Sequence, residues 1–228
     1  MKTALITGAN RGLGYETARQ LAKNGFRVII TARNYEEGQK AKEHLEREGA
    51  TAQFIQMDVS KSLSIWEASQ EFAKLNSRID VLVNNAGVML DQQYGIHELP
   101  LEIFEETLRT NATGALLVIQ NFLQFMPNGS RIINVSSSLG SLNSMQAYSP
   151  AYSISKATLN AITIQFAEIL APKQIAVNAV CPGWLQTAMG GSHAPKTVVE
   201  GTATIVWLAT ITQSPTKQFF RDKQVVGW

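Results

Sequence analysis

The feature that most limits what this chain can fold into is the regular exchange of strand-like for helix-like patterning along nearly all of its 228 residues. Short apolar runs at Ala4-Leu5-Ile6, Phe26–Thr31, Ala52–Met57, Ile79–Val83, Arg131–Val135 and Ile175–Val180 are bounded by turn residues. Runs of that kind suit strands buried on both faces. Between them lie stretches in helical spacing over 15–24, 35–48, 61–75, 100–125, 150–170 and 195–209. In the fourth of these Leu101, Phe104, Leu108, Ala112 and Ala115 share one face; in the last, Val198, Thr202, Ile205 and Ala209 do. Repeated β–α alternation predicts an α/β fold: a doubly wound parallel sheet with helices on both faces, in a single domain over 1–228. Lys217-Gln218-Phe219-Phe220 reads as a short edge strand. A sheet of this kind binds ligands at the carboxyl ends of its strands, near the point where the strand order reverses.

The first such strand end carries Thr7-Gly-Ala-Asn-Arg-Gly-Leu-Gly14. Glycine there lets the backbone turn tightly and approach a ligand closely. The helix start beyond it offers unpaired N–H groups and the positive end of a dipole, which suit a phosphate. We read a dinucleotide pyrophosphate site of Rossmann type formed by Gly8, Asn10, Arg11, Gly12, Leu13 and Gly14. An ordinary Gly-rich turn has the same appearance, and the spacing is not G-x-G-x-x-G, so the rest of the chain must decide. About 20 residues further on, that fingerprint expects an acid for the ribose hydroxyls or an Arg for a 2′-phosphate. Thr31-Ala32-Arg33-Asn34 contains no acid, and Arg11 lies in the glycine run itself. Two guanidiniums favour a phosphate, hence NADP(H), although Arg33 also reads as a solvated surface residue. Asp58-Val59 ends the third strand and Asn84-Asn85-Ala86-Gly87 the fourth, where strand ends line the cofactor crevice. Asp58 either accepts from the adenine amine or caps the helix from Lys61.

Tyr152-Ser153-Ile154-Ser155-Lys156 opens the helix after Pro150, and the spacing puts Tyr152 and Lys156 on one face. A phenol of ordinary pKa, about 10, is a poor acid–base at neutral pH. A nearby ammonium is expected to lower that pKa and make the pair a usable proton donor. By itself the pair reads more readily as an amphipathic surface pair. Ser136-Ser137-Ser138 ends the fifth strand in the same crevice, where a hydroxyl can hold a carbonyl oxygen beside Tyr152 or cap a turn. Asn111 stands inside a long helix, an unfavourable position for Asn; its amide either holds a water beside Lys156 or faces solvent.

Taken in order, these stretches resemble the short-chain dehydrogenase/reductase family over nearly the whole chain. Thr7-Gly-x-x-x-Gly-x-Gly14 looks like its cofactor motif and Asn84-Asn85-Ala86-Gly87 like its fourth-strand motif. Asn111, Ser137, Tyr152 and Lys156 fall where the family has its catalytic tetrad, and Asn178 through Pro182-Gly183 to Thr187 looks like its nicotinamide-binding segment. Ser137 matches the catalytic serine by its place two after Val135 and three before Gly140, with Ser138 the nearest alternative. Ala9–Gly14, Thr31-Ala32-Arg33 and the ending Phe219-Phe220-Arg221-Asp222-Lys223 look like the NADPH-dependent carbonyl reductase branch. The eukaryotic members of that branch carry a long insertion before the Tyr, whereas here fourteen residues separate Ser137 from Tyr152. The resemblance implies hydride transfer from NADPH to an aldehyde or ketone, with Ser137 on the carbonyl oxygen and Tyr152 giving the proton. It gives Lys156 the ribose and the phenol, and Asn111 a water link to solvent. Without the insertion, the helices around 100–125 and 150–170 are free to pair, implying a homo-oligomer, a dimer or tetramer.

Composition narrows the field further. A net charge of +2 with scattered charges gives no footprint for nucleic acid or an acidic membrane. The only cysteine, Cys181, excludes an internal disulfide, and the apolar stretch after Met1-Lys2 stops at Thr7-Gly8, too soon for a signal peptide. We expect a cytoplasmic protein. His44, His97 and His193 have no metal spacing, so no metal is expected. Cys181 reads as a packing residue. The sequons at Asn111 and Asn128 read as chance matches. Met89, Tyr94, Leu139, Tyr148, Trp184 and Met189 are candidate substrate lining around Ser137 and Tyr152, and 184–196 a candidate lid with Gly190-Gly191 as its mobile part. Two other readings stand beside carbonyl reduction: reduction of an enone C=C bond on the same scaffold, and an NADPH-binding sensor without turnover. A nucleotide-sugar epimerase is disfavoured, because only 72 residues follow Lys156.

Overall fold

The computed structural model describes residues 1–228. Eight strands form one sheet: β1 (Thr3–Ile6), β2 (Arg27–Ala32), β3 (Ala52–Gln56), β4 (Val81–Asn84), β5 (Arg131–Val135), β6 (Ala176–Cys181), β7 (Phe219–Arg221) and β8 (Gln224–Val226). Their order is β3-β2-β1-β4-β5-β6-β7-β8, all parallel except the β7–β8 hairpin. The order therefore reverses between β1 and β4, and a crevice opens at their carboxyl ends. Seven helices cover the faces: α1 (Gly12–Lys23), α2 (Tyr35–Arg47), α3 (Ser62–Ala73), α4 (Leu101–Leu108), α5 (Gly114–Phe122), α6 (Pro150–Leu170) and α7 (Val198–Thr210).

The strand pleat divides the core into two layers. Ala4 and Ile6 of β1 pack with Leu21 of α1, Leu45 of α2 and Leu208 of α7. Leu5, pointing the other way, packs with Phe72 of α3, Phe122 of α5 and Leu170 of α6. Side chains of this size, fully buried, each contribute roughly 1.5–3 kcal/mol, which is why alternation along so short a strand fixes its register.

Four expectations about the elements need correction. The first helix begins at Gly12, inside the glycine run, and not at Tyr15. The helix expected over 100–125 is two helices joined by a π turn at Arg109–Thr113, followed by a 3₁₀ turn at Leu123–Phe125. The pattern of buried faces runs through that turn unbroken, so periodicity alone could not show it. The last helix starts at Val198 and not at Pro195, because Thr197 and Glu200 form a reciprocal capping box there. Finally, the sheet edge is β8 and not β7. The hairpin turns at Asp222 and Lys223, both left-handed (φ 52° and 61°), a geometry usually announced by Asn-Gly and here built without glycine.

Candidate active site

Thr7 stitches the two sides of the crevice together. Its hydroxyl oxygen accepts the backbone N–H groups of Asn85 (2.9 Å) and Ala86 (3.0 Å), while the Asn85 amide donates to the carbonyls of Thr7 (2.8 Å) and Gly8 (3.0 Å). The glycines follow from this closeness. A Cβ on Gly8, itself left-handed at φ 62°, would meet Ala86 Cα at 2.9 Å, and one on Gly14 would meet Asn85 Nδ2 at 2.4 Å and the Gly8 carbonyl at 2.5 Å. A Cβ on Gly12, also left-handed at φ 58°, would make only an ordinary contact, with Thr187 Cγ2 at 3.8 Å, so the segment after β6 stands across from the glycine turn. No side chain caps the start of α1 and no acid lies in its first turn. The N–H groups of that turn are thus free of side-chain acceptors and fit an anionic phosphate. The residues present fit a dinucleotide.

Deeper in the crevice, α6 runs beside the end of β5. Lys156 Nζ donates to the Val135 carbonyl (2.8 Å), and the buried Asn160 accepts from the Ser136 hydroxyl (2.7 Å) and donates to the Gly140 carbonyl (3.1 Å). A buried chain from Asn84 through Asn134 to Thr163 ties β4, β5 and α6 together at 2.9 Å per step. These bonds separate the side chains of Ser136 and Ser137, while at Ser138 it is the backbone that is held. Ser136 is spent on Asn160, and the Ser138 N–H donates to Cys181 Sγ (3.2 Å). The Ser137 hydroxyl accepts from the Leu139 N–H (3.2 Å) and is the one that lowers the pKa of the Tyr152 phenol. Cys181, read as packing, is buried as expected and is also the acceptor that holds this turn.

Asn111 lies in the π turn and is buried. Its Oδ1 accepts the Val88 N–H (2.7 Å), and its amide donates to the Val88 carbonyl (2.8 Å) and the Ser155 hydroxyl (3.0 Å). Three of the four bonds an Asn side chain can make are thereby used to clamp the segment after β4 onto α6. A Cβ at Gly87 would lie 3.2 Å from Asn111 Oδ1 and 3.5 Å from Lys156 Nζ, so these two groups face each other across that glycine.

The electrostatics reverse one expectation. The Tyr152 phenol is pushed up to about 12, chiefly because burial disfavours phenolate; Ser137 draws it down, while Cys181 and Asp91 add to the rise. Lys156 is pushed down to about 8 by its own burial. The ammonium sits 5.5 Å from the centre of the Tyr152 ring and is bonded to Val135, and the net result of burial is a phenol that is not acidified. It is instead a protonated hydroxyl at neutral pH, the form of a proton donor.

The adenosine end is more exposed. Arg11 and Arg33 are both exposed, and Asp58 feels the Arg33 charge. The Asn10 amide donates to Glu37 of α2 (2.7 Å). Asp58 does not cap the helix, whose start at Lys61 has no side-chain cap; its carboxylate accepts from the Ser60 N–H (3.0 Å) and hydroxyl (2.7 Å) and stands 3.7 Å from Lys61. At the substrate end, Leu139 is half-buried beside Ser137, while Tyr148, Trp184 and Met189 are exposed. Trp184 donates to the Gly190 carbonyl (2.7 Å) and Gln186 to that of Lys196 (2.9 Å), so 184–196 is a strapped loop. No group of His, Cys, Asp or Glu side chains is arranged to hold a metal ion, and no helix is long and apolar enough to cross a membrane. Sequence reasoning missed one residue altogether: Asp91, completely buried against the start of α6. A lone Asp in an irregular segment gives no periodic signal.

The sequence profile of the family described as short chain dehydrogenase matches residues 2–197, and the chain belongs to that family, the short-chain dehydrogenases/reductases. The 3-oxoacyl-(acyl-carrier-protein) reductase FabG of Aquifex aeolicus is 37% identical over 191 residues, covering 82% of this chain and 75% of that protein. Carbonyl reductase (NADPH) 1 of Sus scrofa is 30% identical over 276 aligned positions that take in 100% of this chain and 94% of the pig protein. The NADPH-bound carbonyl reductase from chicken fatty liver superposes with a TM-score of 0.89 at 25% identity, covering 100% of this chain and 99% of that one.

Proposed function

We propose that the chain is an NADPH-dependent reductase of aldehydes or ketones. The observation that carries this reading is the convergence of a protonated Tyr152 and the Ser137 hydroxyl at the strand ends that also carry the uncapped glycine turn. When bound, NADPH supplies the hydride taken up by the carbonyl carbon. The Ser137 hydroxyl holds the carbonyl oxygen, and Tyr152 gives that oxygen its proton as it becomes an alkoxide. Lys156 anchors the nicotinamide ribose, and its positive charge favours the developing phenolate. The remaining lone pair of Asn111 Oδ1 holds a water between itself and Lys156, through which Tyr152 regains its proton. Pro182, Gly183 and Thr187 hold the nicotinamide side, with Asn85, Ala86 and Gly87 opposite; Val59 and Asp58 border the adenine. Leu139, Tyr148, Trp184 and Met189 form the apolar lip that receives the substrate. Screening ketones, quinones and enones for NADPH oxidation, with product analysis, tests the reading. Alcohol products are expected; a saturated ketone from an enone would make it a C=C reductase, and no oxidation with any of them would leave a sensor.

Arg33 and Arg11 mark the cofactor as NADP(H), the form named for the pig and chicken relatives. Arg33→Asp is expected to raise KM for NADPH by about 10–100-fold, as loss of a charge-assisted phosphate contact does, with little change for NADH. Equal effects on the two cofactors would refute the assignment.

The chain also works as a homo-oligomer, in the cytoplasm. Leu101 at the start of α4 and Ile169 near the end of α6 are 63% and 71% exposed, apolar residues on the helices left free to pair. Sedimentation at micromolar concentration is expected to give a dimer or tetramer; a monomeric mass would overturn the assignment.

A further inference from the structure

We propose that Asp91 positions the proton donor: its carboxylate, sent in from the segment after β4, clamps the first turn of α6 and so fixes where the Tyr152 phenol stands. The inference rests on the reading of Tyr152 as that donor. The helix start needs outside help. Pro150 at its first position has no N–H, so the first donors to be satisfied belong to Ala151 and Tyr152. The residue placed to cap them is Ser149, but it is held left-handed at φ 43° and its side chain makes no capping bond. The Ser149 hydroxyl is buried without a protein partner. Asp91, 60 residues away in sequence, takes over: Oδ2 accepts the Ala151 N–H at 2.6 Å and the Tyr152 N–H at 3.3 Å. The segment that supplies it is pinned a second time, at Val88, by Asn111. The crevice wall after β4 is thus tied to α6 at two points, through Asp91 and through Asn111.

The carboxylate also carries charge to the site. Asp91 is 0% exposed, its Oδ1 has no protein partner, and none of the ion pairs of the protein includes it. Around the phenol stand Lys156 on its own helix, Cys181 at the end of β6, the Ser137 hydroxyl and Asp91. Ser137 favours the phenolate, whereas Cys181 and, to a smaller extent, Asp91 oppose it. Asp91 therefore holds the donor in place and adds, after burial, to what keeps it protonated.

Two variants separate these effects. Asp91→Asn keeps an acceptor for the cap and removes the charge; Asp91→Ala removes both. For Asp91→Ala we expect rapid hydrogen exchange at the Ala151 and Tyr152 amides and a kcat lower by about 10²-fold, the penalty of a small misplacement, with KM for NADPH unchanged. Asp91→Asn should keep the amide protection and most of the turnover. Its alkaline limb of kcat should move down, because the anion that opposed phenolate is gone. Unchanged exchange and kcat in Asp91→Ala would overturn the inference, as would an Asp91→Asn profile whose alkaline limb does not move. The exchange measurement needs no substrate, and an active Tyr152→Phe protein would fault the donor reading alone, so the two failures are distinguishable. Should Asp91→Ala not fold, the Asp91→Asn profile decides.

Discussion

Tyr152→Phe is expected to lower turnover of a ketone by about 10²–10⁴-fold, the contribution of one positioned proton donor, while leaving NADPH affinity and melting temperature nearly unchanged. The substitution removes one oxygen and keeps the ring. Tyr152 is 8% exposed, so the ring's packing, and with it the fold of α6, survives. The exchangeable partner of the lost hydroxyl is Ser137, which can rotate to solvent or substrate. Lys156 keeps its bond to the Val135 carbonyl. The effect should therefore fall on the chemical step alone. With the phenol held near 12, essentially all of it carries its proton at pH 7, so no part of the loss arises from a change in ionisation. Single-turnover oxidation of bound NADPH, with fluorescence titration for affinity, checks both halves. Turnover within tenfold of the unaltered chain would remove Tyr152 from the mechanism.

Gly140→Ala should cost nearly as much by a different route. Gly140 closes the 3₁₀ turn that begins at Ser138, and it lies flat against α6. A Cβ there would stand 2.6 Å from both the carbonyl carbon and the Cβ of Lys156, and 2.8 Å from the Ala157 nitrogen. These are backbone atoms or rigidly attached to it, so no rotamer change relieves the contact. The turn must lift from the helix, and it carries Ser137 with it. Overpacking of this kind costs about 1–3 kcal/mol. For a chain of this size that lowers the melting temperature by roughly 2–4 °C per kcal/mol. Moving Ser137 by about 1 Å from Tyr152 should also lower kcat by about 10²-fold. Calorimetry and steady-state kinetics read the two consequences separately. A protein that melts lower yet turns over at the normal rate would show that Ser137 takes no part in holding the substrate.

The residues that the sequence made legible are those with local, repeating signals. Strands such as β1 announce themselves because Ala4, Leu5 and Ile6 are buried on both faces; α6 does because its apolar positions recur each turn. Gly8 and Gly14 stood out because close approach tolerates no other residue. Tyr152 and Lys156 paired because helical spacing brings residues four apart onto one face. The family membership followed from the order of such motifs, each of which is short-range. What the sequence could not carry is everything decided by what comes near from elsewhere. The three consecutive serines are chemically identical, and only Asn160 and Tyr152 arriving from α6 tell the Ser136 and Ser137 hydroxyls apart. The π turn at Asn111 depends on Val88 and Ser155, both distant in sequence. Whether the phenol is acidified depends on desolvation, which is a property of the packed interior and not of spacing, and burial is the largest cause of its rise. Asp91 caps α6 from 60 residues away, and a hydrogen bond between atoms so far apart along the chain leaves no trace in either neighbourhood. Local backbone preference and periodic burial are written residue by residue, so the sequence alone determined the elements and the motifs. Charge, pKa and side-chain partnership depend on which atoms share a space, and only the folded chain decides that.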